Sequence, residues 1–158
     1  MITLVLAMAE NGVIGQNGTI PWRIADDMKR FKALTVGKTV VMGRKTWDSL
    51  PRKPLVDRIN IVVTRQPGWS ADGAVTASSF EDALDKAKNA PDVMVIGGGE
   101  IYRQALARAD RIELTEVHRA FEGDAHFDFD KSGWREIARE GHATADGLAY
   151  SYVTLARS

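Results

Sequence analysis

Ile2–Ala9, Thr39–Met42, Arg58–Thr64 and Asp92–Ile96 are short, near-continuously apolar runs rich in Val and Ile. A strand with one wet face alternates apolar and polar residues. Runs such as these need cover on both faces, as in a parallel sheet packed between helices. Helical patterns follow them at Asp26–Thr35, Lys45–Leu50, Ser79–Asn89 and Glu100–Ala107. The third begins with a capping-box signal, Ser78 and Glu81, before Phe80, Ala83, Leu84 and Ala87 at helical spacing. Arg111–His118, Trp134–Glu140 and Ala149–Ala156 then read as strands, the last two joined around Asp146-Gly147, a hairpin turn signal. The expected fold is α/β: a single domain over residues 1–158 with a mixed, mostly parallel central sheet. About eight strands, about four flanking helices and a C-terminal antiparallel hairpin complete it.

Composition narrows the function. The 21 basic and 21 acidic residues cancel, which disfavours nucleic acid and membrane surfaces as partners. Cysteine is absent, so there is no disulfide, thiol nucleophile or thiolate metal site. His118, His126 and His142 lack any metal-ligand spacing, and no metal is expected. The acidic stretch Glu122–Asp128 lacks the alternating oxygen ligands of a calcium loop and reads as a solvated loop. The chain opens on a strand, with no basic leader or cleavage site, so a cytoplasmic protein is expected.

Three stretches carry candidate chemistry. Asn11-Gly12, Gly15 and Asn17-Gly18 make a long loop before Ile20-Pro21-Trp22, and its large apolar residues suggest an active-site lid. On the following helix, at about 100° per residue, Ile24, Phe31 and Leu34 fall within roughly 60° of Asp27. Asp27 thus sits inside an apolar stripe, where a carboxylate is costly and its pKa tends to rise. Asp26 lies off that face, close to Arg30, and can be solvated or cap the helix.

The second stretch, Met42-Gly43-Arg44-Lys45-Thr46-Trp47, runs a buried strand through glycine into a helix whose first turn carries two cations and a hydroxyl. Free N–H groups and the helix dipole favour an anion there. Thr64-Arg65 supplies a second basic strand end, so the pair could clamp the extra phosphate that separates NADPH from NADH. The third, Ile96-Gly97-Gly98-Gly99-Glu100-Ile101-Tyr102, puts three glycines between strand and helix and lets backbone approach a ligand closely.

In this order and at these separations, Asn11–Gly15, Ile20-Pro21-Trp22 with Asp27, Gly43–Trp47, Ile96–Tyr102, and Asp124 with His126-Phe127 resemble the dihydrofolate reductase family along essentially the whole chain. The resemblance implies NADPH-dependent reduction of 7,8-dihydrofolate to tetrahydrofolate by a monomer, a step of one-carbon metabolism and an antifolate target. Hydride would pass from nicotinamide C4 to pterin C6, with protonation at N5. Asp27 would hold the pterin by a two-point hydrogen bond, with Thr115 bonded to it and Ile20 and Trp22 closing over the site. Val5, Ala7, Met28, Phe31, Leu50, Leu55 and Ile96 would form the walls, and Lys32 and Arg58 would take the glutamate tail. The implied cofactor contacts are Ala7, Ile14, Gly43, Arg44, Lys45, Thr46, Thr64, Arg65, Gly97, Gly98, Gly99, Glu100, Ile101 and Tyr102, with a cis Gly97-Gly98 peptide. Glu100 stands where relatives often carry a basic residue, Ala25 where proline is frequent, and Ile20 where several bacterial relatives carry methionine. Two other readings stay open: a pyrimidine reductase of riboflavin synthesis with the same fold and cofactor, and a non-catalytic folate- or nucleotide-binding protein.

Overall fold

The computed structural model of the chain describes residues 1–17 and 19–158; Gly18, part of the expected Asn17-Gly18 turn, lies outside them. The strands are β1 (Ile2–Ala9), β2 (Val13–Gly15), β3 (Thr39–Gly43), β4 (Ile59–Val63), β5 (Ala74–Ala77), β6 (Val93–Val95), β7 (Arg111–Val117), β8 (Ala125–His126), β9 (Trp134–Ala143) and β10 (Ala149–Arg157). The helices are α1 (Ala25–Thr35), α2 (Arg44–Ser49), α3 (Phe80–Lys86) and α4 (Gly99–Ala105). An eight-stranded sheet runs β5-β4-β3-β6-β1-β7-β10-β9, and β2 and β8 form a small sheet of their own. Pairing is parallel from β5 through β7, whereas β10 is antiparallel to both β7 and β9.

The apolar runs serve two faces at once. Leu4, Leu6, Val41, Ile61, Val93 and Val95 point into one core, with Phe80 and Ala83 of α3 and Ile101, Tyr102 and Ala105 of α4. Their neighbours Val5, Val40, Met42, Val62 and Met94 point into the opposite one, with Trp47 of α2 and Phe31 and Leu34 of α1. This period of two within continuous apolar sequence is why the runs carry no polar alternation.

The structure alters the expected elements in three places. β2, β5 and β8 were not expected from sequence, because strands of two to four residues carry no readable period. β9 runs to Ala143 rather than Glu140, since Ala149 still pairs with Ala143 across the hairpin. Every residue of β9 after Trp134 is exposed, and an edge strand can carry that polar surface.

The third correction concerns the start of α3. Its N-cap is Ser79, whose hydroxyl accepts from Asp82 N at 2.9 Å, while Asp82 Oδ2 accepts from Ser78 N at 2.9 Å. The expected Ser78–Glu81 pair is therefore shifted by one residue, and Glu81 instead meets Arg108 at 2.7 Å. Ser79→Ala should lower the unfolding free energy by about 1 kcal/mol. Ser78→Ala, which keeps the backbone donor, should lie within about 0.5 kcal/mol of the parent. Urea denaturation of both variants checks the order.

Candidate active site

Parallel strands end together, and ligands of such sheets bind outside those carboxyl ends, where the strand order reverses. Here the reversal falls around β6, inserted between β3 and β1. Gly43 after β3, Gly97 after β6 and the α1 entrance after β1 all meet at that end. A surface cavity lined by Lys38, Ile59, Lys86 and Asn89 opens at the opposite ends of the strands. It holds none of the candidate residues.

Asp27 lies in the first turn of α1, partly buried. Thr115 Oγ1, on β7, donates to Asp27 Oδ1 at 2.7 Å. Burial pushes the Asp27 carboxyl above its ordinary value, and the Thr115 hydroxyl and the nearby positive charge of Arg30 oppose that rise. An ionised carboxylate offers about four lone-pair sites. With Thr115 on Oδ1, capacity remains for a two-point partner. Asp26 is exposed and faces the Tyr150 hydroxyl at 3.5 Å. Arg30, expected beside Asp26, turns instead to Glu113 of β7 at 2.8 Å. Glu113 was missed from sequence; its signal was a lone acid between buried Ile112 and Leu114.

The expected wall residues are only partly gathered. Val5 and Ile96 share one apolar cluster with partly buried Phe31, Leu50 and Leu55. Ala7 belongs to a neighbouring cluster with Trp22 and Ile24. Met28 does not join them: one residue beyond Asp27, its side chain turns off the apolar face and is 68% exposed. Lys32 and Arg58 line one cleft with Arg52, Leu55 and Val56. Arg58 is braced there, donating to Thr35 Oγ1 at 3.0 Å and to Val56 O at 2.9 Å.

On the other side of the crevice, two glycine turns touch. Gly43 N donates to Gly97 O at 2.8 Å, and a Cβ on Gly43 would come within 3.2 Å of Ile101 Cγ1. Gly97 has φ +126°, which a larger residue would not adopt, and the Gly97-Gly98 peptide is cis. Thr46 stands over both Gly97 and Gly98, and Ile14 packs against Gly99. The first turns of α2 and α4 open here with unpaired backbone N–H groups. Around the rim, Arg44 bonds Gln66, faces Asp48 at 3.6 Å and lies over the Trp69 ring at 5.5 Å. Lys45 is exposed, and Thr64 Oγ1 accepts from Gln66 N at 3.2 Å. Arg65 meets Glu100 at 3.2 Å, so the acid at that position faces a cation of the same rim. Ile101 and Tyr102 are buried behind the turn, where the Tyr102 hydroxyl donates to Val5 O at 2.7 Å. Open glycine backbone, free N–H groups and a basic rim fit an extended, phosphate-bearing cofactor.

The expected lid divides into a fixed and an exposed part. Trp22 is buried, its ring 5.2 Å from that of Phe121, whereas Ile20 is 57% exposed. The loop is tied down by the stretch that sequence suggested was merely solvated. β8 pairs with β2, Asp124 accepts from Asn17 N at 3.1 Å, and Phe127 is fully buried. The overlooked signal was Phe127 and Phe129, two aromatic residues spaced to enter a core from one strand face.

The raised Asp27 has a consequence for stability. A carboxyl whose folded pKa exceeds its unfolded value destabilises the fold when ionised. That cost is absent below 3.8, its ordinary value, and grows as pH rises toward the folded value. Asp27→Asn should therefore raise the melting temperature at neutral pH and lose the advantage in acid, as calorimetry across pH would record.

Comparison with known proteins agrees with this geometry over the full length. The sequence pattern described as dihydrofolate reductase matches residues 1–157. The type 3 dihydrofolate reductase of Salmonella typhimurium is 44% identical over 160 residues, spanning 99% of this chain and 98% of that one. The dihydrofolate reductase of Mycobacterium tuberculosis is 42% identical over 163 residues, spanning 100% and 99%. Dihydrofolate reductase from Enterococcus faecalis, solved in complex with NADP(H) and RAB-propyl, superposes with a TM-score of 0.92 at 33% identity, over 100% of this chain and 96% of that one. The chain belongs to the dihydrofolate reductase family.

Proposed function

We propose that this chain reduces 7,8-dihydrofolate to 5,6,7,8-tetrahydrofolate with NADPH, and that Asp27 is the residue on which the pterin is held. The carrying observation is the Asp27–Thr115 hydrogen bond of 2.7 Å, which fixes one carboxylate in an apolar wall at the carboxyl ends of the strands. Membership of the family over residues 1–157 favours this reading over a pyrimidine reductase or a non-catalytic binding protein.

Asp27 accepts from the pterin 2-amino group and N3, a charge-assisted pair that also sets the ring's angle. Val5, Ile96, Phe31, Leu50 and Leu55 supply flat apolar contact for the ring and its aryl extension. Lys32 and Arg58 face the carboxylates of the tail. The Tyr102 hydroxyl donates to Val5 O at 2.7 Å and so joins the cofactor-side helix to a wall residue of the ring. Gly43, Thr46, Gly97, Gly98 and Gly99 hold the cofactor backbone, and Arg44, Lys45, Thr64 and Arg65 lie at the end where the 2′-phosphate is read. Bound there, NADPH supplies the hydride from nicotinamide C4 to pterin C6. C6 becomes electrophilic when N5 is protonated, and among the described residues none of the side chains assigned to the site is given the role of donor to N5. A water admitted past Ile20 delivers that proton, while the negative charge of Asp27 polarises the ring. Trp22 serves as the fixed wall and Ile20 as the part that opens and shuts.

Asp27→Asn should lower dihydrofolate turnover at neutral pH by about 10²–10⁴-fold, the range for a missing acid–base group, with little change in NADPH affinity. Following NADPH oxidation by absorbance reads the first, and fluorescence titration the second; near-parental turnover would refute the assignment of Asp27. Arg44→Ala should weaken NADPH roughly tenfold or more through loss of a charged contact, while NADH binding changes far less. Equal losses for the two cofactors would remove Arg44 from phosphate recognition.

A further inference from the structure

An arginine one turn after a helix start would ordinarily extend into water. Arg30 does not. Its Nη2 lies 2.8 Å from Glu113 Oε2, with only 21% and 10% of the two side chains exposed. Thr154 Oγ1 donates to the same Glu113 oxygen at 2.8 Å, and the guanidinium carbon sits 4.2 Å from the centre of the Tyr152 ring.

The sheet explains the convergence. Glu113 and Thr115 are two apart on β7 and so share a face. Their register partners on β10 are Thr154 and Tyr152. Asp27 and Arg30, three apart on α1, lie above this block, with Asp27 on Thr115 and Arg30 on Glu113. Burying Glu113 in a strand is expensive, and such a pair is often no more stable than an apolar replacement. The binding of a pterin does not require Glu113. What Glu113 does is aim a cation, since among the described residues Arg30 makes no ion pair with Asp27 itself.

We propose that Arg30 is a positioning residue for Asp27, clamped against Tyr152 by Glu113, which Thr154 holds in turn, so that a fixed positive charge stands near the Asp27 carboxylate while its oxygens are left to the substrate. This rests on the reading of Asp27 as the substrate-holding acid. The groups facing Asp27 are few: Asp26 and Arg30 on its own helix, Glu113 on β7, Tyr150 and Tyr152 on β10, and Tyr102 on α4. Burial raises all three tyrosines, Tyr152 to about 12, so they are neutral in the working range. Asp26 is turned to Tyr150, and Glu113 is paired with Arg30. Arg30 is the cation of the set. Its positive charge opposes the upward push of burial on the Asp27 carboxyl.

Carbon-13 NMR of aspartate carboxyls in the ligand-free protein, with Asp27→Asn to assign the signal, reads the midpoint directly. Arg30→Met should move it up, Arg30→Lys should leave it near the parent, and Glu113→Gln should move it down by removing the nearby counter-charge. A merely structural loosening would not give opposite signs. In steady state, Arg30→Met should raise KM for dihydrofolate severalfold below the new midpoint and little well above it, with kcat less affected. An unmoved midpoint in Arg30→Met, or shifts of the same sign in Arg30→Met and Glu113→Gln, overturns the proposal. Should Arg30→Met not fold, an upward or absent shift in Glu113→Gln overturns it alone. If Asp27 were not the substrate acid, Asp27→Asn would keep its turnover while the NMR shifts persisted, so the two failures are distinct.

Discussion

A carboxylate in an apolar wall survives only if something inside the protein replaces the water it gave up. For Asp27 that replacement is the Thr115 hydroxyl, reaching across 88 residues of sequence from β7 to α1. A hydrogen bond to a charged group contributes about 1.5–3 kcal/mol, enough to offset part of the burial but not all. The remainder is left for a ligand to satisfy. Binding then gains most from a molecule with two adjacent N–H donors and a flat apolar body, which describes the amino edge of a pterin. The site is selective because it is incompletely satisfied when empty.

The sheet makes this possible at a definite place. β1, β6 and β7 are neighbours in parallel, so their carboxyl ends open on one side. β7 presents Thr115 to α1, and β1 leads into the loop that ends at Trp22. β3 and β6 end in glycines that touch through Gly43 N and Gly97 O, which brings the cofactor face beside the acid. Tyr102 joins the two halves, rooted behind the glycine turn and bonded to Val5 O on the substrate side. The proposed substrate and cofactor surfaces therefore share supports.

Much of this arrangement was legible before any coordinates. Runs such as Ile2–Ala9 and Thr39–Met42 announce buried strands because a chain buried on both faces has no choice but to be largely apolar. Asp27 stood out as an acid on a helical face that also carries Ile24, Phe31 and Leu34. What escaped were features whose partners are distant in sequence. β2 and β8 are too short to have a period and exist because they find each other. The cap of α3 slid from Ser78 to Ser79, because one residue of register is decided by how Phe80 enters the core. Met28, a wall residue by family resemblance, lies one helical step of about 100° from Asp27 and is exposed in this structure.

Sequence alone determined the fold class, the acid, the glycine turns and the basic strand ends, since each depends on local pattern or on residue chemistry. Only tertiary structure decided where Arg30 points. By spacing it belonged with Asp26 on the outside of the helix; in the folded chain Glu113, itself held by Thr154, and the Tyr152 ring take it instead. An ion pair in water is worth little, so helical spacing hardly constrains it. A buried acid whose one ion pair among the described residues is with Arg30 constrains it strongly, and that acid is supplied by a strand more than 80 residues away.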